Sequence, residues 1–393
     1  MRVNYYMAYI TYYLMNTEGT TIRTSRTVGA VEAAMDAQAD DGMPVHNFYS
    51  IYVASPQDMP TPEMLSKSIA KAAEELIALR KAPNTPDYTG PVLFDAPAAG
   101  SLLAQALSPS LSGERPPLSM LPAYDEMMER MGGRSEWSGR VGTRVLPASV
   151  SLVDDPTMKE FNGQKLQGSY EIDDEGVKAQ KVAIVQNGVL KDELMSRRPG
   201  PDFQASNGHA RSALLSDTKA LPSNLIFSAS GGLNAADMKK KFLDACKDDG
   251  HEWCLEVRKM DNPALSSLRQ EDFNELIGSL AGGISSGLRM PLMVYRVYVS
   301  DGHEELVRGA HIEGLQLRTL RNIPAIGDDP AVFSYMQNPA GGFAGTAFGA
   351  FGSAQGGIPS TVIAPSLLLD EVEIRGFHGE PRRLPLVDAP PLK

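Results

Sequence analysis

The stretch Val31-Glu32-Ala33-Ala34-Met35-Asp36-Ala37-Gln38-Ala39-Asp40 sets Val31, Ala33, Met35, Ala37 and Ala39 on one side and Glu32, Asp36, Gln38 and Asp40 on the other. A period of two is that of a half-buried strand, because successive side chains leave a strand on opposite faces. The alanine content would equally suit a helix. The text that follows favours the strand: Asp41-Gly42 is a turn pair, and Val45, Asn47, Tyr49, Ile51 and Val53 resume the alternation beyond it. Upstream, from Tyr5, the same period dominates, so the Tyr-rich opening is expected to be a strand entering a sheet.

Thr61-Pro62-Glu63 then begins a helix, with a hydroxyl N-cap, proline at the first helical position and an acid in the first turn. Leu65, Ile69, Ala72, Leu76 and Leu79 follow on one stripe. The two-proline connector Ala82-Pro83-Asn84-Thr85-Pro86 closes this part and is taken as the domain boundary, giving residues 1–86 and 87–393. Beyond Tyr88 short strands and turns predominate. A hairpin is expected where Asn187-Gly188 joins 180–186 to 189–195, and another where Ser300-Asp301-Gly302 joins 293–299 to 305–311. Two helices interrupt the strands, 235–248 with Asn234 as N-cap and 270–280. The Gly-, Ala- and Phe-rich tract 338–357 is expected to be an ordered loop packed by Phe343, Phe348 and Phe351, with strands resuming at Thr361. The fold class expected is α+β, an α/β N-terminal piece followed by a mainly antiparallel β domain.

The chain of 393 residues has the composition of an ordinary folded protein, 42% hydrophobic and 22% charged. Its 48 acidic against 37 basic side chains give a formal charge of −11, and the basic residues form no stripe, so nucleic acid is not expected as a partner. No run reaches the ~18 apolar residues of a membrane helix. No membrane partner is expected, and the expected compartment is the cytoplasm. Cys246 and Cys254 are too few for a disulfide framework or a four-thiolate zinc site, and are expected to be reduced packing residues.

Groups with the right chemistry are scattered. His303-Glu304 and His251-Glu252 lack a second histidine one helical turn on, and His311, with Gly309 intervening, falls in a strand pattern. Asp173-Asp174-Glu175-Gly176 offers oxygen ligands, but adjacent acids before a glycine usually form a solvated turn, here placed after a strand 168–172. Ser206-Asn207-Gly208-His209 brings a hydroxyl and an imidazole three residues apart; nucleophilic catalysis also requires an orienting acid and an oxyanion hole, which a sequence does not display. Neither Gly282-Gly283 nor Gly356-Gly357 is followed by Lys-Ser or Lys-Thr, so a phosphate loop is unsupported.

Several strings in order resemble the TldD/PmbA family of peptidase-related proteins. They are Val92-Leu93-Phe94-Asp95-Ala96-Pro97-Ala98-Ala99-Gly100-Ser101-Leu102-Leu103, Ser138-Gly139-Arg140-Val141-Gly142, Val153-Asp154-Asp155-Pro156, residues 168–177, Asn187-Gly188-Val189-Leu190-Lys191, Ser206-Asn207-Gly208-His209-Ala210-Arg211 and Ile326-Gly327-Asp328-Asp329, with a strand region 359–374 closing the series. The earlier Asn16-Thr17-Glu18-Gly19-Thr20 resembles the family's strand and turn in the N-terminal domain, which implies that the chain starts inside that domain.

In metal-bearing members of the family a His-Glu-x-x-x-His helix and a downstream Cys bind one zinc. Here the resemblance places Asp95 at the first His, Ala96 at the Glu, Gly100 at the second His and Phe351 at the Cys. Ala, Gly and Phe cannot ligate, and one carboxylate falls short of the three protein ligands of a catalytic zinc. No cofactor is expected. The resemblance therefore implies the metal-free branch, PmbA or TldE, whose members pair with a zinc-bearing TldD subunit around an extended peptide. Two alternatives stay open. One is an active peptidase or amidase using Asp95, His209, Asp173 or Asp174; the other is a self-paired, homodimeric peptide-binding protein with no proteolytic role.

Overall fold

The structure, a computed structural model, describes residues 1–115, 136–213, 217–262, 264–265, 290–313, 315–338 and 354–378. The helix expected over 270–280 and the packing expected of Phe343, Phe348 and Phe351 fall outside these residues.

The first part of the chain is the strand pair β1 (Arg2–Met15) and β2 (Thr21–Gln38), then β3 (Pro44–Val53) and helix α1 (Pro62–Lys81). The three strands form one antiparallel sheet in the order β1-β2-β3. The alternation of β2 is real on its odd face, where Val31, Ala33 and Met35 are buried. Glu32 departs from it, being buried at 6% exposure where solvent was expected. The even face is covered too, by Met336 and Ala354, and Glu32 accepts hydrogen bonds there from Tyr52 (3.3 Å) and the Ala354 amide (3.1 Å). Helix α1 starts as the sequence predicts, Thr61 Oγ1 accepting from the Met64 amide at 3.3 Å. Ala72, Leu76 and Leu79 are the buried part of its stripe, the first two meeting Met35, Ala39 and Val45.

The rest comprises β4 (Tyr88–Phe94), α2 (Ala96–Leu107), β5 (Val150–Asp154), β6 (Glu160–Phe161), β7 (Gln164–Lys165), β8 (Val182–Gln186) and β9 (Val189–Leu190). It continues with β10 (Ala210–Arg211), β11 (Lys219–Ala220), β12 (Asn224–Ala229), α3 (Ala235–Asp248), β13 (Trp253–Met260) and β14 (Pro291–Tyr298). The last strands are β15 (Glu304–Val307), β16 (His311–Glu313), β17 (Ala325–Ile326), β18 (Ala331–Gln337), β19 (Ile358–Ala364) and β20 (Leu367–Arg375). Two mixed sheets organise them. One has the order β18-β19-β12-β5-β8-β9 and the other β15-β14-β13-β4-β20-β16, with β17 paired to β20. Most pairings are antiparallel; β12 with β19 and β4 with β13 are parallel.

Helix α2 lies between the two sheets, against β4 and β13 on one side and β18 and β19 on the other. All of its residues except Pro97 are buried. A helix apolar all round belongs in such a place, because no face of it gains from water. Phe94, Leu102, Leu103, Leu107, Leu152, Phe227, Val257 and Val362 join both sheets and α2 in one core. The fold is therefore α+β with mostly antiparallel sheets.

The Asn187-Gly188 turn takes the expected form, with φ of 49° and 79°. Asn234 caps α3, accepting from the Asp237 amide at 3.0 Å. Three expectations need correction. The second hairpin ends at Val307, because Arg308 gives its backbone to the connector, its amide donating to Pro83 and its carbonyl accepting from Thr85. Gly309 then turns at φ 74°, and His311 joins β20 instead. Residues 168–172 are not a strand, since side-chain bonds from Asn224 hold this segment in place of a ladder. Finally, Cys246 and Cys254 are not reduced but joined as a disulfide, the end of α3 meeting the start of β13 with Cα atoms 5.9 Å apart. The spacing of eight residues carried no signal of this; the antiparallel return of β13 beside α3 creates it. No helix among the described residues is long and apolar enough to cross a membrane.

Candidate functional site

Strand β4 runs directly into α2, and the residue between them is Asp95. Its amide donates to the Val257 carbonyl of the neighbouring β13 at 3.0 Å, and its own carbonyl accepts the first helical bond from Ala99 at 2.7 Å. This fixes the backbone at the point where the sheet gives way to the buried helix. Along β13, Leu255 and Val257 enter the core, so Glu256 and Arg258 emerge on the opposite face, near Asp95.

Arg258 organises that face. Its guanidinium donates to both oxygens of Glu256 at 3.1 and 2.9 Å and to Glu304 of β15 at 2.7 Å, and it lies 4.2 Å from the centre of the Tyr295 ring. A planar fork suits such bidentate and stacked contacts, which an ammonium could not make together. Lys239 of α3 completes the chain of charges at 2.9 Å from Glu304. Asp95 sits at the edge of this network, 3.9 Å from Arg258. Burial, and then the neighbouring Glu256 carboxylate, push the Asp95 carboxyl up to about 7, against the pull of Arg258. For Glu304 burial acts upward too, but the hydrogen bonds from Lys239 and Arg258 outweigh it and hold that carboxyl low. The result is a partly exposed acid that holds its proton well above the usual carboxylate range, beside a carboxylate already committed to an arginine.

The other sequence candidates are elsewhere and are bound up in the structure. His209 is fully buried, with Nε2 3.0 Å from Asp154 Oδ1 and Nδ1 3.0 Å from Asn207 Oδ1. Ser206 turns away from it and donates to the Met195 carbonyl at 3.1 Å. A serine does approach the same carboxylate, but Ser223 Oγ donates to Asp154 and not to the imidazole. A nucleophile must reach its base and the substrate, and this buried trio offers neither contact. Asp173 accepts the amides of Glu175 (3.0 Å), Val177 (2.8 Å) and Ala210 (3.1 Å), and burial raises its carboxyl to about 6. Asp174 accepts from the Ser212 amide at 2.7 Å. The acidic cluster thus fastens a turn to β10. His303 lies in the turn before β15 and His311 in β16, on different strands. Among the described residues no three His, Cys, Asp or Glu side chains are placed to hold a metal.

Residues 87–245 match the family model for the PmbA/TldA metallopeptidase C-terminal domain. Over these residues the chain is similar to the PmbA/TldD family. Curated relatives include a metalloprotease of Archaeoglobus fulgidus, 41% identical over 80 residues, which are 20% of this chain and 17% of that protein. A metalloprotease of Methanothermobacter thermautotrophicus is 26% identical over 222 residues, 54% of this chain and 44% of its own. The chain thus spans less than half the length of these relatives. Among solved structures, a proposed modulator of a DNA gyrase from Thermotoga maritima aligns with a TM-score of 0.60 at 21% identity, over 95% of this chain and 68% of that one. TldE from Thermococcus kodakarensis aligns with a TM-score of 0.59 at 14% identity, over 94% and 68%. At these identities the two structures establish the shared fold.

Within the PmbA/TldD frame, three of the four positions that the resemblance links to zinc lie among the described residues, and they do not fit the ion. Asp95 is the single donor; Ala96 has no ligating atom. Gly100 leaves no room for one, since a Cβ placed there would stand 2.7 Å from the Cβ of Phe333 on β18. Phe333 thus fills the space into which a longer residue at 100 would project. The fourth position, Phe351, lies outside the described residues. Glu256, Arg258 and Phe333 escaped the sequence reading, and Glu304 entered it only as the neighbour of His303. The first two had a signal, the alternation of charged and apolar residues in Leu255-Glu256-Val257-Arg258; Phe333 comes from a distant strand and had none.

Proposed function

We propose that this chain is a zinc-free, non-catalytic subunit of the TldE type, which pairs with a zinc-bearing TldD-like subunit in the proteolysis of unfolded peptides. In this reading residues 1–86 are the remainder of the N-terminal α/β domain, residues 87–393 form the C-terminal domain, and the protein works in the cytoplasm. The observation that carries it is the closure of Gly100 by Phe333 beside a lone donor, Asp95. A site with one donor, closed at Gly100 by Phe333, fits recognition better than scission. The edge of the six-stranded sheet supports a role for the peptide: among the described residues β18 pairs with β19 alone, and its first four residues are partly exposed. An extended peptide can add to such an edge through backbone bonds, with little demand on its side chains.

Zinc content and peptide turnover of the purified chain test this, alone and after mixing with a zinc-bearing relative. The expected result is substoichiometric zinc and no turnover alone, with cleavage of an unstructured peptide only in the mixture. Stoichiometric zinc in the lone chain would overturn it. One observation favours a second reading, an active hydrolase: Asp95, its carboxyl raised, stands beside the Glu256 carboxylate as in a paired-carboxylate site. Turnover by the lone chain, lost in Asp95→Asn, would select that reading.

A further inference from the structure

Glu193 lies just beyond β9, at the opposite edge of the six-stranded sheet from β18, and is buried to 3% exposure. Its Oε1 is enclosed and has no hydrogen-bond partner. An ionised carboxylate in that state is costly, because no donor replaces the water it gave up, whereas the neutral acid costs far less. The nearby Glu114 shows the contrast. Its carboxylate accepts from Ser196 Oγ at 2.6 Å, the Ala220 amide at 3.0 Å and Arg198 at 3.4 Å.

The short segment 112–115 lies over Glu193. Helix α2 leads into it through a single 3-10 turn, Ser108–Ser110, and the fully buried Leu111. Two backbone bonds tie it down, the Gly113 amide donating to the Leu194 carbonyl at 3.1 Å and the Arg115 amide to the Arg198 carbonyl at 2.9 Å. Gly113 rests directly on the acid, since a Cβ there would collide with Glu193 Oε2 and Met195 Cε. Only glycine lets the backbone approach so closely.

We propose that Glu193 is a pH-operated latch, which closes residues 112–115 over itself as a neutral acid and releases them when it loses its proton. This does not depend on the zinc-free reading, because it uses neither Asp95 nor the β18 edge. The charges around Glu193 favour the neutral form. Asp192 and Asp202, on its own segment, both oppose a further negative charge. The cations nearby have other partners: Arg198 donates to Glu114 and to the Thr218 carbonyl at 2.7 Å, Lys219 of β11 is near Glu114, and His209, which faces Asp192, is bound to Asp154. Arg115, on the latch itself, is exposed.

Burial, and then Asp202 and Asp192, push the Glu193 carboxyl from its ordinary 4.5 up to about 7. A group raised in this way holds the closed form fully below about 4.5, weakens it as pH rises to about 7, and adds no further loss above that. Leu111 stays in the core when 112–115 lifts, so the opening is local and leaves the sheets intact.

The test is hydrogen exchange of the Gly113 and Arg115 amides in the full chain, corrected for the intrinsic effect of pH, with the amides of β19 as internal reference. In the wild type their protection is expected to fall about tenfold per pH unit from about 4.5 to about 7 and then to level off, while β19 does not follow. Glu193→Gln, which cannot ionise, is expected to keep both amides protected throughout. Carbon-13 titration of the Glu193 carboxyl in the wild type needs no variant, and its midpoint is expected near 7. Protection that is flat with pH in the wild type, a fall that persists in Glu193→Gln, a loss shared by β19, or a carboxyl midpoint near 4.5 would each overturn the proposal.

Discussion

Arg308 grips Asp41 across the joint between the first sheet and the rest of the molecule, its two terminal nitrogens donating at 3.2 and 2.8 Å to the two carboxylate oxygens. The guanidinium is 8% exposed and its Nε donates to the Ala82 carbonyl at 2.6 Å, so the same residue ties the turn after β2, the end of α1 and the connector to β15. The two partners are unequal, since Asp41 is 39% exposed and its carboxyl is held low chiefly by the Arg308 hydrogen bond.

That inequality predicts the mutants. Arg308→Ala strands the Ala82 carbonyl and empties a packed site, and is expected to lose about 2–4 kcal/mol. Asp41→Asn leaves a hydrogen-bonding group in place at a partly solvated position and is expected to lose less than about 1 kcal/mol. Urea unfolding of the two single variants and the double variant measures this; equal losses would show that Arg308 acts only through Asp41.

Asp95 should imprint its raised carboxyl on the pH dependence of stability. Its folded value of about 7 lies above the ordinary 3.8, so the folded state holds the proton more tightly. Such a group adds stability that is complete below about 3.8 and is lost as pH rises through about 7. Asp95→Asn cannot lose a proton and should gain on the wild type progressively across that window. Melting temperatures of both proteins from pH 4 to pH 8 decide; parallel curves would mean that Asp95 ionises freely.

Where the structure was legible beforehand, local rules sufficed. Thr61-Pro62 announces α1 because capping is a matter of neighbouring residues, and Asn187-Gly188 announces its turn because few other pairs accept those angles. Glu32 was misplaced because periodicity describes one face of a strand and not what arrives over the other, here Met336 and Ala354 from 300 residues on. The candidate site divides along the same line. Asp95 could be read from the family pattern, whereas Arg258, Glu304 and Phe333 reach it only through the pairing of β13 with β14 and β15 and the packing of β18 on α2. Residue types in sequence singled out Asp95; strand pairing and packing alone show which side chains surround it.

The Cys246–Cys254 bond closes a loop of eight residues, and both sulfurs are fully buried. Cross-linking so short a loop stabilises a fold by about 2–3 kcal/mol on chain-entropy grounds. Cys246→Ser with Cys254→Ser is therefore expected to unfold at lower urea concentration by that amount, while a reductant added to the folded wild type reacts slowly. Thiol alkylation with mass mapping reports the pairing; full alkylation of both residues in the native, unreduced protein would contradict it.

Restoring single residues of the family's metal pattern should fail for two separate reasons. Ala96→Glu supplies a base, but a base without a bound metal has no activated water to use, so no peptidase activity is expected. Gly100→His meets a steric obstacle first, because any side chain at 100 must move Phe333, whose Cβ would lie 2.7 Å from the added carbon. Overpacking of this kind costs about 1–3 kcal/mol. Gly100→Ala is expected to show that loss without any change in metal content, and Phe333→Gly, which removes the Cβ at the point of contact, to recover part of it in the same background. Calorimetry of the two variants, with zinc measured in each, separates the explanations: a stable Gly100→Ala protein would mean that β18 yields easily and that Phe333 does not close the pocket.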